Sequence, residues 1–304
     1  MKDSPESAEN ISVHASRVGG GPGILFIHGW NHSRRIWRPV VSYLHEDITA
    51  VTIDLPGFGE SPPLASQQVS IPQYAFLTEE VIRQVSEILY QCNTSLKAIV
   101  ADSLGAVLVL EALYGKEGAW GSSKKVSLWL PGAENSTVNG GLPSALEEIE
   151  AILLSSCPSD GLSSFMAIFR NLGLIETGLS ASEAIPEWIS KGVVRTLSLS
   201  TVHRLENVND VLVESVLDAD PMTSENLFGE LVDYSFEKKS NPDAELAVRV
   251  VRGEHDRVTR RDDSLRLADQ LEGVYEEISD VGHTPMIEAP EKYAALVKDR
   301  LEGL

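Results

Sequence analysis

The chain is predicted to fold as an α/β protein: a mostly parallel sheet with helices on both faces and an inserted helical block. Three observations predict this. Short apolar runs alternate with segments of helical period through residues 1–132. Several of those runs are almost free of polar residues, as expected of strands covered on both faces. The alternation stops after Pro131-Gly132 and resumes near Leu246, so a stretch of a different kind lies between. Strands joined through helices imply parallel neighbours with right-handed crossovers.

The elements follow in order. Strands are predicted over 11–18, 24–28, 48–54, 96–101 and 126–130, the last three being nearly continuous apolar runs. Helices are predicted over 33–45, 70–91 and 103–114. The second of these opens on Ser70-Ile71-Pro72-Gln73, where Ser70 can cap, Gln73 can reach back and Pro72 suits a first turn. Leu77, Val81, Val85, Ile88 and Leu89 then share one face. From Ala133 to Asn226 the pattern shows helical pieces only, over 142–154, 162–172, 185–197 and 208–216. A strand over 246–251, a helix over 260–271, a strand over 274–278 and a closing helix from Pro290 complete the chain. This divides it into a core of 1–132 and 227–304 and a helical cap, or lid, of 133–226.

Composition narrows the function classes. A chain of 304 residues with 42% hydrophobic residues can build a large core. A formal net charge of −20 disfavours nucleic acid and anionic membrane as partners, because both would repel it. No apolar run is long enough to span a bilayer, and the polar, acidic start Met1-Lys2-Asp3-Ser4-Pro5-Glu6-Ser7 lacks a signal region. A cytoplasmic location is expected. Cys92 and Cys157 lack metal-ligand spacing and read as buried free thiols.

Chemistry is concentrated in a few motifs. In Ile99-Val100-Ala101-Asp102-Ser103-Leu104-Gly105-Ala106 an apolar strand turns directly into a helix, the setting of a G-x-S-x-G nucleophile elbow with Ala101 at its first small position. Crowding at such a turn demands small residues two before and two after the nucleophile. Ala101 and Gly105 meet that demand for Ser103; a register on Asp102 would put Val100 and Leu104 there. Upstream, Phe26-Ile27-His28-Gly29-Trp30 ends a strand, so the backbone N–H groups of Trp30 and Leu104 are the expected oxyanion donors. His28 reads as a histidine that holds this loop by hydrogen bonds. Downstream, Asp256 lies in the turn Gly253-Glu254-His255-Asp256-Arg257, and His283 in Val281-Gly282-His283-Thr284-Pro285. The order Ser103, Asp256, His283 is that of a nucleophile, acid and base on this architecture. Glu254, Asp262 and Glu134 are rival acids. Glu134 is the strongest of them, because the 126–130 strand is expected to end toward the site. His14, His32, His45 and His203 read as surface or cap histidines with no partner visible in the sequence.

These motifs, with Asp54-Leu55-Pro56-Gly57-Phe58-Gly59-Glu60-Ser61 and the run from Gly282-His283-Thr284-Pro285 to Glu288-Ala289-Pro290-Glu291, resemble the α/β-hydrolase fold family. The resemblance implies an eight-stranded sheet and a serine nucleophile that uses water. It gives Asp54, Gly57 and Gly59 structural roles. Within the family, His28-Gly29-Trp30, Ile36-Trp37-Arg38 and the 54–61 run are most similar to pimeloyl-acyl-carrier-protein methyl ester esterases. That implies hydrolysis of a small-molecule ester, with an acyl-carrier-linked ester as a variant. Residues 133–226 hold only Arg170, Lys191, Arg195 and Arg204 as basic groups, which offers little to an acidic carrier. The expected reaction runs through an acyl-enzyme and needs no cofactor or metal. Phe165, Met166, Phe169, Trp188, Met222 and Phe228 could line an apolar acyl pocket. Carbon–carbon hydrolysis of a diketone by the same triad, and a non-catalytic ligand receptor, are the alternatives.

Overall fold

A computed structural model describes residues 10–65, 69–115, 125–130, 148–163, 201–242 and 246–301. Its strands are β1 (Asn10–Gly19), β2 (Gly23–Ile27), β3 (Thr49–Ile53), β4 (Leu96–Asp102), β5 (Lys125–Trp129), β6 (Ala151–Ser155), β7 (Ala247–Gly253) and β8 (Val274–Ile278). The α-helices are α1 (Arg38–Leu44), α2 (Ile71–Gln91), α3 (Leu104–Tyr114), α4 (Asp210–Leu217), α5 (Pro221–Val232), α6 (Arg261–Gln270), α7 (Pro285–Glu288) and α8 (Pro290–Leu301). All the strands join one 8-stranded sheet in the order β5-β1-β3-β2-β4-β6-β7-β8. Among the described pairings, that of β1 with β3 is antiparallel and the others are parallel.

Side-chain alternation along the central strands divides the core into two layers. Leu25 and Ile27 of β2 face α2, α3 and α6, whereas Ile24 and Phe26 face α1 and α8. Every residue of β2, β3 and β6 is buried. Such strands carry no polar face, which explains their continuous apolar runs. On the α1 side, Phe26 packs on Trp37 with ring centroids 5.3 Å apart, and Trp37 on Tyr293 at 6.0 Å.

Four expectations need correction. The end of the helix expected over 142–154, of which 142–147 lie outside the described residues, is a strand: Ala151–Ser155 is β6, paired between β4 and β7. Its run Ala151-Ile152-Leu153-Leu154 is too short for periodicity to separate a buried strand from a buried helix. Those residues therefore belong to the sheet and not to a helical cap. The 126–130 run forms β5 at the sheet edge beside β1, with Val126 and Leu128 buried and Trp129 exposed, rather than a strand covered on both faces. Ser70 does accept the Gln73 N–H at 3.4 Å, but both Gln73 amide atoms are buried without a partner, so the reciprocal arm is not made. The Glu230 carboxylate serves the helix start instead, accepting the Ile71 N–H at 2.6 Å. Cys157 is buried, but Cys92, at the end of α2, is exposed.

The helical pieces expected over 162–172 and 185–197, Glu134, and Phe165, Met166, Phe169 and Trp188 lie wholly or largely outside the described residues. No described helix is long and apolar enough to cross a membrane.

Candidate active site

The site lies at the C-terminal ends of β2, β4, β6 and β7, where a parallel sheet opens its crevice. β4 ends at Asp102 and α3 begins at Leu104, so Ser103 alone makes the turn. It does so with φ 49° and ψ −113°, in a region that non-glycine residues rarely enter. Its N–H donates to the Ser155 carbonyl at 2.8 Å, which anchors the turn on β6. The turn also forces close packing. A Cβ on Gly105 would stand 2.7 Å from the His28 carbonyl oxygen and 2.8 Å from that of Ile27, and one on Gly29 would stand 3.0 Å from the Ser103 Cβ. Backbone atoms in the middle of the sheet cannot yield. Gly105→Val is accordingly expected to cost about 1–3 kcal/mol of stability. An unchanged urea midpoint would contradict this.

The structure brings Ser103, His283 and Asp256 together although they lie far apart in sequence. The Nε2 of His283 is 3.1 Å from the Ser103 Oγ, and its Nδ1 is 2.9 Å from the Asp256 Oδ2. All three residues are buried. The network places the imidazole proton on Nδ1, where it is donated to the carboxylate, and leaves Nε2 to accept from the serine hydroxyl. The Asp256 carboxylate is fixed from several sides. Its Oδ1 accepts the N–H groups of Val258 at 2.8 Å and Thr259 at 3.0 Å, and its Oδ2 accepts the Thr259 hydroxyl at 2.6 Å. Arg252, buried at the end of β7, donates to the Asp256 carbonyl at 2.6 Å and the Thr259 carbonyl at 3.2 Å. His283 is held through its own backbone: its N–H donates to Thr201 O at 2.7 Å, and its carbonyl accepts the Ser156 hydroxyl at 2.8 Å.

Electrostatics follow from this packing. Burial disfavours a charged His283, but the charge and hydrogen bond of Asp256, joined by the charge of Asp102, outweigh it and hold its pKa above the ordinary imidazole value. Burial likewise opposes ionisation of Asp256. His283 and the Thr259 donors overcome it and hold that carboxyl below its usual range. The pair is therefore arranged to stabilise an imidazolium.

The carboxylate of Asp102 points inward and is fully buried, with no hydrogen-bond partner for either oxygen. Its nearest basic group is the Nδ1 of His32, 3.7 Å away and also buried. His32 is thus a histidine of the site's inner wall and not the surface residue that the sequence suggested. Because the Asp102 charge raises the His283 pKa, Asp102→Asn is expected to lower it. The acid limb of the kcat/KM profile would then move to lower pH. A limb that stays in place would exclude this influence.

The loop after β2 is rigid for identifiable reasons. His28 is buried; desolvation lowers its pKa to about 4, against the pull of Asp54, and keeps the ring neutral. Its Nδ1–H donates to the Gly29 carbonyl at 2.8 Å, and its Nε2 accepts the Leu55 N–H at 2.9 Å. Trp30 is pinned by an indole N–H to Ser224 O bond of 2.8 Å and by packing on Phe228 at 4.9 Å. Among the described residues, no hydrogen bond uses the backbone N–H of Trp30 or of Leu104. Asp54 is structural: its buried carboxylate accepts the Arg34 N–H at 2.6 Å and the Glu60 N–H at 3.0 Å, and Gly57 and Gly59 both take positive φ.

Of the rival acids, Glu134 lies outside the described residues. Glu254 and Asp262 are exposed, and His255 is stacked on His203. The strand before Glu134 stands at the sheet edge, with β1, β3 and β2 between it and β4. Of the candidate pocket residues described, Phe228 is buried against Trp30 and Val258, whereas Met222 is exposed. Sequence reasoning missed Ser156, which reaches the His283 carbonyl across the fold, and Thr259 and Arg252, which bind Asp256 from its own turn and from the end of β7.

Comparison with known proteins agrees with this architecture. A family model described as the Alpha/beta hydrolase family matches residues 24–296. A pimeloyl-[acyl-carrier protein] methyl ester esterase of Aeromonas hydrophila is 34% identical over 94 residues, which cover 31% of this chain and 36% of that protein. The match thus spans little more than a third of that relative. Among solved structures, a thermophilic esterase from Thermogutta terrifontis superposes with a TM-score of 0.63 at 14% identity, covering 96% of this chain and 93% of that one. An N-acyl homoserine lactonase superposes with a TM-score of 0.62 at 18% identity, covering 94% and 91%. At these identities the structural likeness concerns the fold.

Proposed function

The chain belongs to the alpha/beta hydrolase family, and from that premise we propose that it is a serine hydrolase cleaving a carboxylic ester with a small or medium apolar acyl group. The hydrogen-bonded line Ser103–His283–Asp256 is the observation that carries this reading. Ser103 Oγ attacks the ester carbonyl carbon while His283 Nε2 takes the hydroxyl proton. Asp256 fixes the imidazole and stabilises its charged form. The N–H groups of Trp30 and Leu104 receive the developing oxyanion, each worth a few kcal/mol. Collapse of the tetrahedral intermediate breaks the ester C–O bond, and the alcohol leaves with the proton from His283. Water, deprotonated by His283, then attacks the acyl-enzyme; the carboxylic acid departs and Ser103 regains its proton.

Phe228, Trp30 and Val258, next to the acid turn, form an apolar wall suited to an acyl chain. In this reading the stretch 133–226, apart from β6, supplies the cap that encloses the acyl chain. Free small-molecule esters suit an acidic surface better than an acidic carrier protein does. The two free cysteines suit a reducing, cytoplasmic setting.

A panel of p-nitrophenyl esters graded by acyl length, run beside a vinylogous diketone, tests the reaction class. Ester turnover that peaks at short or medium acyl length and disappears in Ser103→Ala is expected. Turnover of the diketone alone would replace ester cleavage with carbon–carbon hydrolysis. Ligand binding without turnover, retained in Ser103→Ala, would make the protein a receptor.

A further inference from the structure

Away from the Ser103 hydroxyl, three further chemistry-bearing side chains converge from separate segments. His203 precedes α4, His255 lies in the turn after β7, and Asp280 lies in the turn after β8. Each offers one ligand atom, and these atoms all lie within 4.8 Å of one another. The two imidazole rings are stacked, with centroids 3.8 Å apart and planes 20° apart, so both edges open on the same space. The Nδ1 of His203 is shielded from solvent and has no hydrogen-bond partner. A ring nitrogen stripped of water in this way is left without the proton donor or Lewis acid that would satisfy it.

A fourth donor, the second carboxylate, stands at the rim. One carboxylate oxygen of Glu254 lies 3.9 Å from the His255 Nε2 and accepts the Asp280 N–H at 3.2 Å. One cation competes: the Arg204 guanidinium is 3.9 Å from Asp280, but both side chains are exposed and such pairs are weak. Two imidazoles with carboxylate oxygens make a borderline nitrogen–oxygen set. It favours zinc and its first-row neighbours over magnesium or calcium, which take oxygen ligands.

We propose that His203, His255 and Asp280, completed by Glu254, form a binding site for a divalent zinc-type ion that clamps the 201–203 segment to the turns carrying Asp256 and His283. The ion takes no part in the proton relay. Its effect is mechanical, because the ligands adjoin the triad backbone: His255 precedes Asp256, and the His283 N–H already donates to Thr201 O. A Cβ on Gly282 would stand 2.7 Å from the backbone nitrogen of His203, so the two segments are in direct contact.

Chelator-treated, tag-free full-length protein titrated with zinc chloride tests the site by calorimetry and by Tm. Cobalt(II) supplies a spectroscopic reading of four-coordinate nitrogen–oxygen ligation. One equivalent of zinc, a raised Tm and tetrahedral cobalt bands are expected. His203→Gln, His255→Gln and Asp280→Asn should each weaken binding by about tenfold or more. Asp280→Asn is the variant least able to disturb folding, because Asp280 has φ 64° and asparagine tolerates that conformation. Absence of stoichiometric zinc binding would overturn the proposal. So would stoichiometric binding equally tight in all three variants, which would place the metal elsewhere on the chain.

Discussion

Replacing Ser103 by alanine is expected to lower kcat/KM for a substrate ester by roughly 10⁴-fold or more. The reason lies in the geometry: the Ser103 Oγ is 3.1 Å from the His283 Nε2, and no other described hydroxyl is hydrogen-bonded to that nitrogen. The oxyanion donors and the apolar wall would survive the change, so a small residual rate above the uncatalysed one should remain. The fold should survive too, because the turn is held by the Ser103 backbone N–H and not by its side chain. Ser103→Gly carries the idea further. Glycine enters φ 49° without the steric cost that serine bears, so this variant should lose turnover equally while gaining about 1 kcal/mol of stability. Steady-state kinetics and urea unfolding of both variants check the two halves separately.

Asp256→Asn has the second largest expected effect, a fall in kcat of about 10⁴-fold. An amide in place of this carboxylate offers its NH₂ either to the Val258 and Thr259 N–H groups or to His283 Nδ1–H and the Thr259 hydroxyl. The first orientation sets donor against donor; the second is satisfied only when His283 carries its proton on Nε2, where it cannot accept from Ser103, so activity falls and up to about 1–3 kcal/mol of stability goes with it. The pH dependence has a definite sign. Asp256 is held below its ordinary range, so its stabilisation is present above about pH 4 and is lost as pH falls through the depressed folded value. His283 is held above its ordinary value. Its stabilisation is full below about pH 6.5 and is lost as pH rises through the raised folded value. The stability gap between wild type and Asp256→Asn should therefore be widest between about pH 4 and 6.5 and should close on further acidification. A gap independent of pH would contradict the coupling.

What could be read from the chain beforehand has a physical pattern. Ser103 was legible because a strand-to-helix turn without a linker restricts Ala101 and Gly105 to small residues, and sequence records that restriction directly. The places of Asp256 and His283 were legible because both follow strand-forming runs in glycine-marked turns. β6 was not, since a buried run of four apolar residues has no periodicity of its own. Nor was the edge position of β5, which depends on pairing with β1 at the far end of the chain. Helix α5 carried a signal that went unread: Asp220 caps it, accepting the Thr223 N–H at 2.8 Å, and Pro221 opens it, but its polar first turn and Gly229 masked the period. The pairing of Asp102 with His32 and that of His203 with His255 arise from long-range packing, which no local pattern encodes.

The central claim is that Ser103 is the nucleophile of an acyl-transfer site. Reaction of the folded protein with a fluorophosphonate, followed by peptide mass spectrometry, tests it most directly. Attack by Ser103 Oγ on phosphorus with loss of fluoride should leave one phosphonyl group per chain on the peptide containing Ser103, and Asp256→Asn should slow its formation. A folded protein that takes up no label, or one labelled at another residue and still labelled in Ser103→Ala, would contradict the account.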